Sequence, residues 1–206
     1  MSESLYSNRT NLIIGFHGCD KTVADKVING SDNLVASTND YDWLGNGIYF
    51  WQKNEERALD WALQLSKRKN SSIKTPAVIG AIIDLGYCFD LTDNRYLKEM
   101  EKGYDFLVSI CKSTNSPIPK NTNIGNSEDL LLRKLDCAVI QTVHRLHSET
   151  GSKPYDSVRG VFWEGKPIYP NAGFREKNHI QICVCNPNCI KGYFLPRSID
   201  PNYPNP

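Results

Sequence analysis

The stretch Tyr41–Trp51, YDWLGNGIYFW, decides the fold because a turn-rich loop passes there into a short strand. Gly45 and Gly47 permit the turn, and Ile48–Phe50 is an apolar strand candidate. The window holds five aromatic residues. Their electron-rich faces could stack on a planar or cationic ring, although an aromatic cluster packed beneath a loop would have the same composition.

A helix follows this strand directly. Asn54 is the expected N-cap, acidic residues occupy the first turn, and Lys67–Lys69 occupy the last turn, so the charges complement the helix dipole at both ends. An apolar stripe recurs at helical spacing, formed by Ala58, Trp61, Ala62 and Leu65.

The remaining pattern predicts strands in the first and last thirds of the chain and helices between them. Strands are expected at residues 12–17, 77–85, 157–163, 179–185 and 190–195. Further helices are expected at 22–29, with Thr22 as N-cap and Gly30 as C-cap, and from a Ser127 cap to about His147. Because the elements do not alternate as βαβ units, we predict an α+β fold in one domain, residues 1–206, with a probable helical insertion at 86–154.

Composition excludes several classes of protein. The 206 residues include 24 Lys and Arg against 23 Asp and Glu, and 40% are hydrophobic. A chain with this apolar content and near-neutral charge is not disordered as a whole, and it has no general basic excess for binding nucleic acid or membrane surfaces. The chain begins without a signal-peptide pattern and contains no apolar run of about 20 residues. We therefore expect a cytoplasmic protein that does not bind membranes.

The seven cysteines do not suggest disulfides or a metal site. Their number is odd, and none has the C-x-x-C spacing of a redox or zinc site. The nearest approach is Cys183-x-Cys185-x3-Cys189, which alternation in a strand with small buried thiols explains more simply. No metal is expected.

Two further segments combine polar residues with strand ends. His17-Gly18 closes an apolar strand, and a glycine there lets a ligand approach the backbone. In Asn178–Val184, period two places Gln181 on one face with His179 and Cys183. Each polar group could equally be satisfied by local hydrogen bonds. The usual Rossmann and P-loop nucleotide motifs are missing from the sequence.

In this order, the pieces resemble the ADP-ribosyltransferase superfamily. The chain has His-Gly on a strand, then G-x-G-I-Y-F leading into a helix with R-A-x-x-W-A, then a polar residue on a late strand. This is similar to the His–Tyr–(Glu/Asp/Gln) branch, which includes the poly(ADP-ribose) polymerases and diphtheria-type toxins. The resemblance covers roughly residues 12–85 and 155–195. It implies a split antiparallel sheet with NAD in the cleft between its halves.

The resemblance also implies a role for each matching residue. His17 would hydrogen-bond the adenine-side ribose of NAD, and the backbone of Gly18 would pair with the nicotinamide carboxamide. Tyr49 would stack on the nicotinamide ring, and Trp61 would supply a second aromatic surface. Gln181 stands where many relatives have Glu. NAD would be a substrate, and His17, Tyr49 and Gln181 would be the catalytic residues.

Two departures from the family pattern change the expected chemistry. Gln181 keeps hydrogen bonds but has neither the charge nor the basicity of Glu, so either the acceptor is already a good nucleophile or a nearby carboxylate assists. The candidates are Glu176, Glu164 and Asp156. Single transfer, or no transfer at all, fits better than chain elongation. Arg57 stands before Ala58 where the polymerases have Ser, so the carboxamide pocket must differ or the alignment is shifted.

The expected function is therefore NAD-dependent mono-ADP-ribosyl transfer to a macromolecule, either a nucleic-acid base or a protein side chain, with nicotinamide release. A compact unit of this kind resembles a toxin or antiviral defence effector, for which a neutralising antitoxin partner is possible. Two alternatives stay open: a catalytically silent NAD- or ADP-ribose-binding module, and an NAD glycohydrolase. One basic group could line a path for RNA or DNA, although a solvated helix face is the simpler explanation. Its members are Arg133, Lys134, His144, Arg145, His147, Lys153 and Arg159.

Overall fold

A mixed, mostly antiparallel sheet organises the chain in the computed structural model, which describes residues 12–125 and 129–204. The elements in chain order are β1 (Ile13–Asp20), α1 (Lys21–Ile28), β2 (Ile48–Gln52), α2 (Glu55–Ser66), β3 (Pro76–Ile83), β4 (Cys88–Asp90), α3 (Asn94–Ser113), β5 (Asn121–Thr122), β6 (Leu132–Arg133), α4 (Lys134–Glu149), β7 (Ser157–Phe162), β8 (His179–Val184), a 3₁₀ turn (Pro187–Cys189) and β9 (Ile190–Phe194). Within the described ranges no helix is long and apolar enough to cross a membrane.

Seven strands form the main sheet in the order β4-β7-β8-β2-β1-β3-β9, and β5 pairs with β6 separately. The pairing of β4 with β7 is parallel and the other pairings are antiparallel. Helices and strands do not alternate around this sheet, so the α+β prediction is confirmed at the level of class. β8 lies between β7 and β2, so the strand carrying Gln181 is inside the sheet and not at its edge.

The sheet packs a separate core on each face. One face carries Phe50, Ile79 and Ile182, which pack with Ala24 and Val27 of α1. The opposite face carries Phe89, Val158 and Cys183, which pack with Ile140 and Val143 of α4. Because side chains alternate along a strand, Tyr49, Trp51 and Gln181 lie on the face that α4 covers. We call this the α4 face.

Local hydrogen bonding corrects the start of α1. The carboxylate of Asp20 accepts the backbone N–H of Thr22 at 2.9 Å, so Asp20 is the N-cap and the prediction for Thr22 is wrong. Asp20 also accepts the N–H groups of Lys74 and Thr75. Asp20 is favoured as the N-cap because its carboxylate both caps the helix and hydrogen-bonds the neighbouring loop. The C-cap of α1 is Asn29 and not Gly30, so that prediction is one residue late; Gly30 follows the C-cap with a left-handed φ of +69°.

The helix that is predicted from Ser127 to about His147 begins later than expected. Asn54 caps α2 as predicted by accepting the N–H of Arg57, but α4 begins at Lys134. The proposed Ser127 cap lies outside the described residues. Leu131 is not helical because its carbonyl accepts the indole N–H of Trp43 at 2.9 Å, and the chain then forms β6. A contact distant in sequence therefore overrides local helix propensity.

Candidate functional site

A gap between β1 and β2 divides the main sheet. Along β1 the pairing with β3 runs through all eight residues, whereas the pairing with β2 is limited to Gly15 with Gln52 and Phe16 with Trp51. Beyond Phe16 the two central strands diverge. One half-sheet, β4-β7-β8-β2, therefore meets the other, β1-β3-β9, through a short seam.

Gly18 lies on β1 beyond the end of that seam. The carbonyl of Ile14 accepts the N–H of Lys53, just after β2, at 3.0 Å. Backbone polar groups alternate along a strand, so those of Ile14, Phe16 and Gly18 point toward β2. Because pairing stops at Phe16, the N–H and C=O of Gly18 point into the gap. The two groups are a donor and an acceptor that a partner in the gap could satisfy.

His17 bridges the gap with its side chain. Its Nδ1 donates to the carbonyl of Tyr49 at 2.7 Å. Burial lowers the pKa of His17 below its ordinary value, and the hydrogen bond that its ring donates to the Tyr49 carbonyl only partly offsets this effect. The ring is therefore neutral at pH 7. Because Nδ1 carries the hydrogen, Nε2 has a lone pair that can accept a hydrogen bond from a hydroxyl group.

Tyr49 is fixed by the loop that precedes it. Its hydroxyl donates to the carbonyl of Gly45 at 2.6 Å and accepts the N–H of Leu44 at 2.8 Å. Burial raises the pKa of Tyr49 far above its usual range, so the phenol stays protonated. Gly45 has φ of +76°, a backbone conformation that favours glycine. The glycine-rich loop therefore sets the orientation of the Tyr49 ring.

Gln181 lies on β8 directly opposite Trp51, and Tyr49 pairs with Cys183 two residues further along. Gln181 and Tyr49 are thus diagonal neighbours on the α4 face, a spacing of about 7–8 Å between strands. Trp61 reaches the same region from α2, with its ring centroid 5.5 Å from that of Trp51. Three adjacent strands therefore carry the three predicted catalytic residues, and Trp61 is in contact with their surroundings.

Unpaired polar atoms mark one region of the α4 face. In the described part of the chain, five buried side-chain atoms lack a hydrogen-bond partner, and all belong to neighbouring residues: Trp51 Nε1, Arg57 Nε, Arg133 Nε, His179 Nε2 and Gln181 Oε1. Buried polar groups are normally paired because each orphan costs about 1–3 kcal/mol. The cluster has the composition of a site that a polar ligand completes. We call it the polar pocket.

A buried ion pair borders the polar pocket. Arg57, from the first turn of α2, donates to Glu164 at 2.6 Å, and the two side chains are 8% and 10% exposed. The guanidinium also lies 5.7 Å from the centre of the Trp51 ring, and Lys177 approaches Glu164 at 3.8 Å. Arg57 thus supplies a cation beside Trp51.

The three carboxylates considered from the sequence differ sharply in their surroundings. Glu164 is buried at the polar pocket. Asp156 accepts the backbone N–H of Tyr87 and the side-chain amide of Asn186, which are structural bonds. Glu176 accepts the N–H of Lys166 within the loop between β7 and β8. Among these three, Glu164 is the one that pairs with a residue of the polar pocket, Arg57.

The basic residues considered as a nucleic-acid path do not form one free surface. Arg159 is 8% exposed and bonds to Asp90 and Gln52, so it cannot contact a phosphate backbone. Arg133 lies 4.4 Å from the centre of the Trp43 ring. Several others have acidic partners in the structure: Lys134 with Asp40, Arg145 with Glu149, and His147 with Glu99.

The cysteines are free thiols, and one of them differs from the rest. The Cys183 thiol and the His144 imidazole lower the pKa of Cys185 to about 5, whereas burial raises that of Cys19, Cys137 and Cys189. Residues 12–125 and 129–204 contain no group of three or more His, Cys, Asp or Glu side chains able to hold a metal ion.

We therefore expect Cys185 to be the most reactive thiol of the native protein. At pH 6 iodoacetamide should label it at least about tenfold faster in native than in denatured protein, because an unfolded thiol with a pKa near 8.5 is almost wholly protonated there. Mass spectrometry of tryptic peptides measures both rates, and His144→Gln should reduce the native rate. Equal labelling of Cys185 in the two states would contradict the expectation.

Sequence reasoning missed three parts of this site. Trp51 was only one of five aromatic residues in its window, and His179 was only one member of an alternating strand. The pairing of Arg57 with Glu164 could not be seen because it spans 107 positions. The departure at Arg57 from the family pattern was the available signal. A cation replacing a small polar residue needs a carboxylate when it is buried.

Comparison with known proteins gives one relative and no function. No family model matches the chain, and no solved structure matches it. The chain is similar to "Uncharacterized protein MJ0359" of Methanocaldococcus jannaschii, with 30% identity over 207 residues that cover 90% of this chain and 89% of the archaeal protein. The chain therefore belongs to the same family as MJ0359.

Proposed function

We propose that the protein is an NAD-dependent mono-ADP-ribosyltransferase, which transfers ADP-ribose to a macromolecular acceptor and releases nicotinamide. The observation that carries the proposal is the gap between β1 and β2. Gly18 directs its backbone into that gap, and His17, Tyr49 and Gln181 come from the three strands beside it. This arrangement supports the split antiparallel sheet and the NAD cleft that the family resemblance implies.

The gap offers complementary groups to the nicotinamide and to the adenine-side ribose of NAD. The N–H and C=O of Gly18 would pair with the nicotinamide carboxamide, and the Tyr49 ring would stack on the pyridinium. The lone pair on Nε2 of His17 would accept a hydrogen bond from a hydroxyl of the adenine-side ribose. Trp61, which packs on Trp51, would form part of the aromatic wall. NAD is the only small molecule that this reaction requires, and no step needs a metal.

Gln181 would bind the nicotinamide-side ribose. Its Oε1 has no partner in the structure and can accept a ribose hydroxyl. As nicotinamide leaves, positive charge develops on the ribose, and a fixed negative charge nearby stabilises that state. Gln181 lacks the charge, so we assign it to Glu164, although the contact between Glu164 and Arg57 weakens its field.

The loop between β7 and β8 would meet the acceptor. It runs back on itself through the bridge between Pro167 and Arg175. Large hydrophobic side chains on it are exposed, namely Trp163 at 63%, Tyr169 at 57% and Phe174 at 63%. Exposed rings could stack on a nucleic-acid base or pack on a protein surface. A cytoplasmic toxin or defence effector, held in check by an antitoxin partner, is the setting that we propose.

Replacing Gln181 tests the proposal. Purified protein is incubated with labelled NAD and a whole-cell lysate, which is then separated into protein, RNA, DNA and small-molecule fractions. We expect label in one macromolecular fraction, and Gln181→Ala should reduce its rate of appearance at least about tenfold because a transition-state contact is lost. The control is Lys120→Ala, which replaces an exposed residue that is distant from Gln181 in the sequence.

The other outcomes distinguish the competing functions. An unchanged rate in Gln181→Ala would transfer the catalytic assignment to Glu164 or Glu176. Nicotinamide release without incorporated label would support an NAD glycohydrolase. Saturable NAD binding without release would support a silent binding module. Neither binding nor release would overturn the proposed function.

A further inference from the structure

Gln181 leaves one requirement of transfer unmet. An acceptor hydroxyl or amine loses a proton when it bonds to the ribose, and a side-chain amide cannot take that proton. The polar pocket contains two unpaired hydrogen-bond acceptors, Gln181 Oε1 and His179 Nε2. Its other unpaired atoms, on Trp51, Arg57 and Arg133, are N–H donors. His179 Nε2 is thus the unpaired atom of the pocket that can become protonated.

The surroundings of His179 fix its ring and its tautomer. Nδ1 donates to the carbonyl of Lys177 at 2.6 Å, so the lone pair of the neutral ring lies on Nε2. The ring stacks with Trp43 at 6.0 Å and lies 5.7 Å from Phe162 between ring centres. His179 is 6% exposed and shares the α4 face with Gln181, two residues along β8. A ring held in this way is oriented before any ligand arrives.

Charged groups around His179 act in both directions. Arg57 of α2 and Arg133 of β6 oppose its protonation, while Glu164 in the loop after β7 favours it. Burial, the largest effect, lowers the pKa of His179 below its ordinary value. The ring is therefore neutral at pH 7 and available to accept a proton, and Glu164 is the carboxylate that would stabilise the resulting imidazolium.

We propose that His179 is the general base of the reaction, an inference that rests on the proposed transferase function. The bond between C1′ of the ribose and the nicotinamide nitrogen breaks, and its electron pair leaves with nicotinamide. The acceptor nitrogen or oxygen forms a bond to C1′, and its proton moves to Nε2 of His179. The imidazolium then returns the proton to solvent, so the step needs no further reactant.

The test compares His179→Gln with the wild-type protein in the labelled-NAD assay, using the fraction that the wild type labels. A general base contributes about 100-fold or more, so we expect transfer to fall by about that factor while NAD affinity stays within about twofold. His144→Gln is the matched control, since His144 lies on α4 outside the polar pocket. Because His179→Gln also loses the ring contacts with Trp43 and Phe162, its Tm is measured as well, and the rates are compared at a temperature at which both proteins are fully folded.

The pH dependence separates a base from a group that only fills space. At saturating NAD, where a ribose hydroxyl already occupies Nε2 of His17, wild-type transfer should be constant near neutral pH and fall only below about pH 6.5, the ordinary pKa of His, because protonation removes the lone pair of His179. His179→Gln should lack that fall. Transfer by His179→Gln within threefold of the wild type, or an unchanged acid limb, would overturn the inference.

Failure of the underlying function looks different. If the wild type neither transfers label nor releases nicotinamide, both proposals are wrong. If it releases nicotinamide but labels no macromolecule, water is the acceptor and the transferase proposal is wrong. His179 must then accept the proton of water, so His179→Gln should slow nicotinamide release about 100-fold, and an unchanged release rate would overturn the inference.

Discussion

Gly18→Ala should cause the largest loss of stability of any single-methyl addition at the site. A Cβ at this position would overlap the carbonyl oxygen of Ala58 and would lie 3.1 Å from its carbon and 3.2 Å from the Cβ of Ala62. All three atoms belong to α2, whose backbone cannot rotate away as a flexible side chain can. Overpacking costs about 1–3 kcal/mol and occasionally more, and we expect the upper end of this range.

Thermal unfolding measures this effect. For a chain of this length about 3 kcal/mol corresponds to a fall in Tm of roughly 6–12 °C. Gly192→Ala is the matched control, because Gly192 also lies in a strand and an added Cβ there meets nothing within 4 Å. Its Tm should stay unchanged or rise slightly. If both variants melt together with the wild type, α2 does not lie against Gly18 as described.

Tyr49→Ala should cause the largest loss of turnover. The substitution removes the ring proposed to stack on nicotinamide, and misplacing a substrate by about 1 Å can cost about 100-fold. Nicotinamide release from NAD should therefore fall by about 100-fold or more. Because Tyr49 also packs against the core of the α4 face, the Tm of the variant must be measured alongside its activity.

Tyr49→Phe separates stacking from anchoring. It keeps the ring but loses the two hydroxyl bonds, to Gly45 and Leu44, each worth about 1 kcal/mol. If the ring is what matters, Tyr49→Phe should retain most of the activity that Tyr49→Ala loses. Near-normal release by a folded Tyr49→Ala variant would remove the stacking role altogether.

Much of the fold could be predicted because local signals and tertiary packing agree. The apolar run at residues 77–85 became β3, and the alternation at 179–185 became β8 with Gln181 beside Trp51. Asn54 capped α2 as its position suggested. In both strands, the spacing of the apolar residues in the sequence is the spacing of the side chains that the strand buries.

The parts that could not be predicted depend on contacts between distant residues. Helix α3 lies within the expected helical insertion at 86–154, but no helix was specified at its position, and it contains Gly103, a residue that weakens isolated helices. In the structure Gly103 is where α3 meets α4, since an added Cβ would lie 2.6 Å from Val143 Cγ2. Close approach between helices, which no local pattern encodes, explains the glycine.

The candidate site shows the same division. Strand ends with glycine and aromatic residues could be recognised in the sequence, and the structure brings His17, Tyr49 and Gln181 onto adjacent strands. The unpaired atoms of the polar pocket could not be foreseen. They come from β2, α2, β6 and β8, so their burial depends on how these elements, distant in sequence, come together.

The measurement that tests the central claim most directly is an NMR titration of ¹⁵N-labelled protein with NAD. It detects binding whether or not the protein is catalytically active. If NAD occupies the gap between β1 and β2, the Gly18 amide should shift saturably because it donates to the carboxamide, and the amides of Gly45 and Tyr49 should shift with it. Saturable shifts confined to other parts of the molecule, or none at millimolar NAD, would contradict the account.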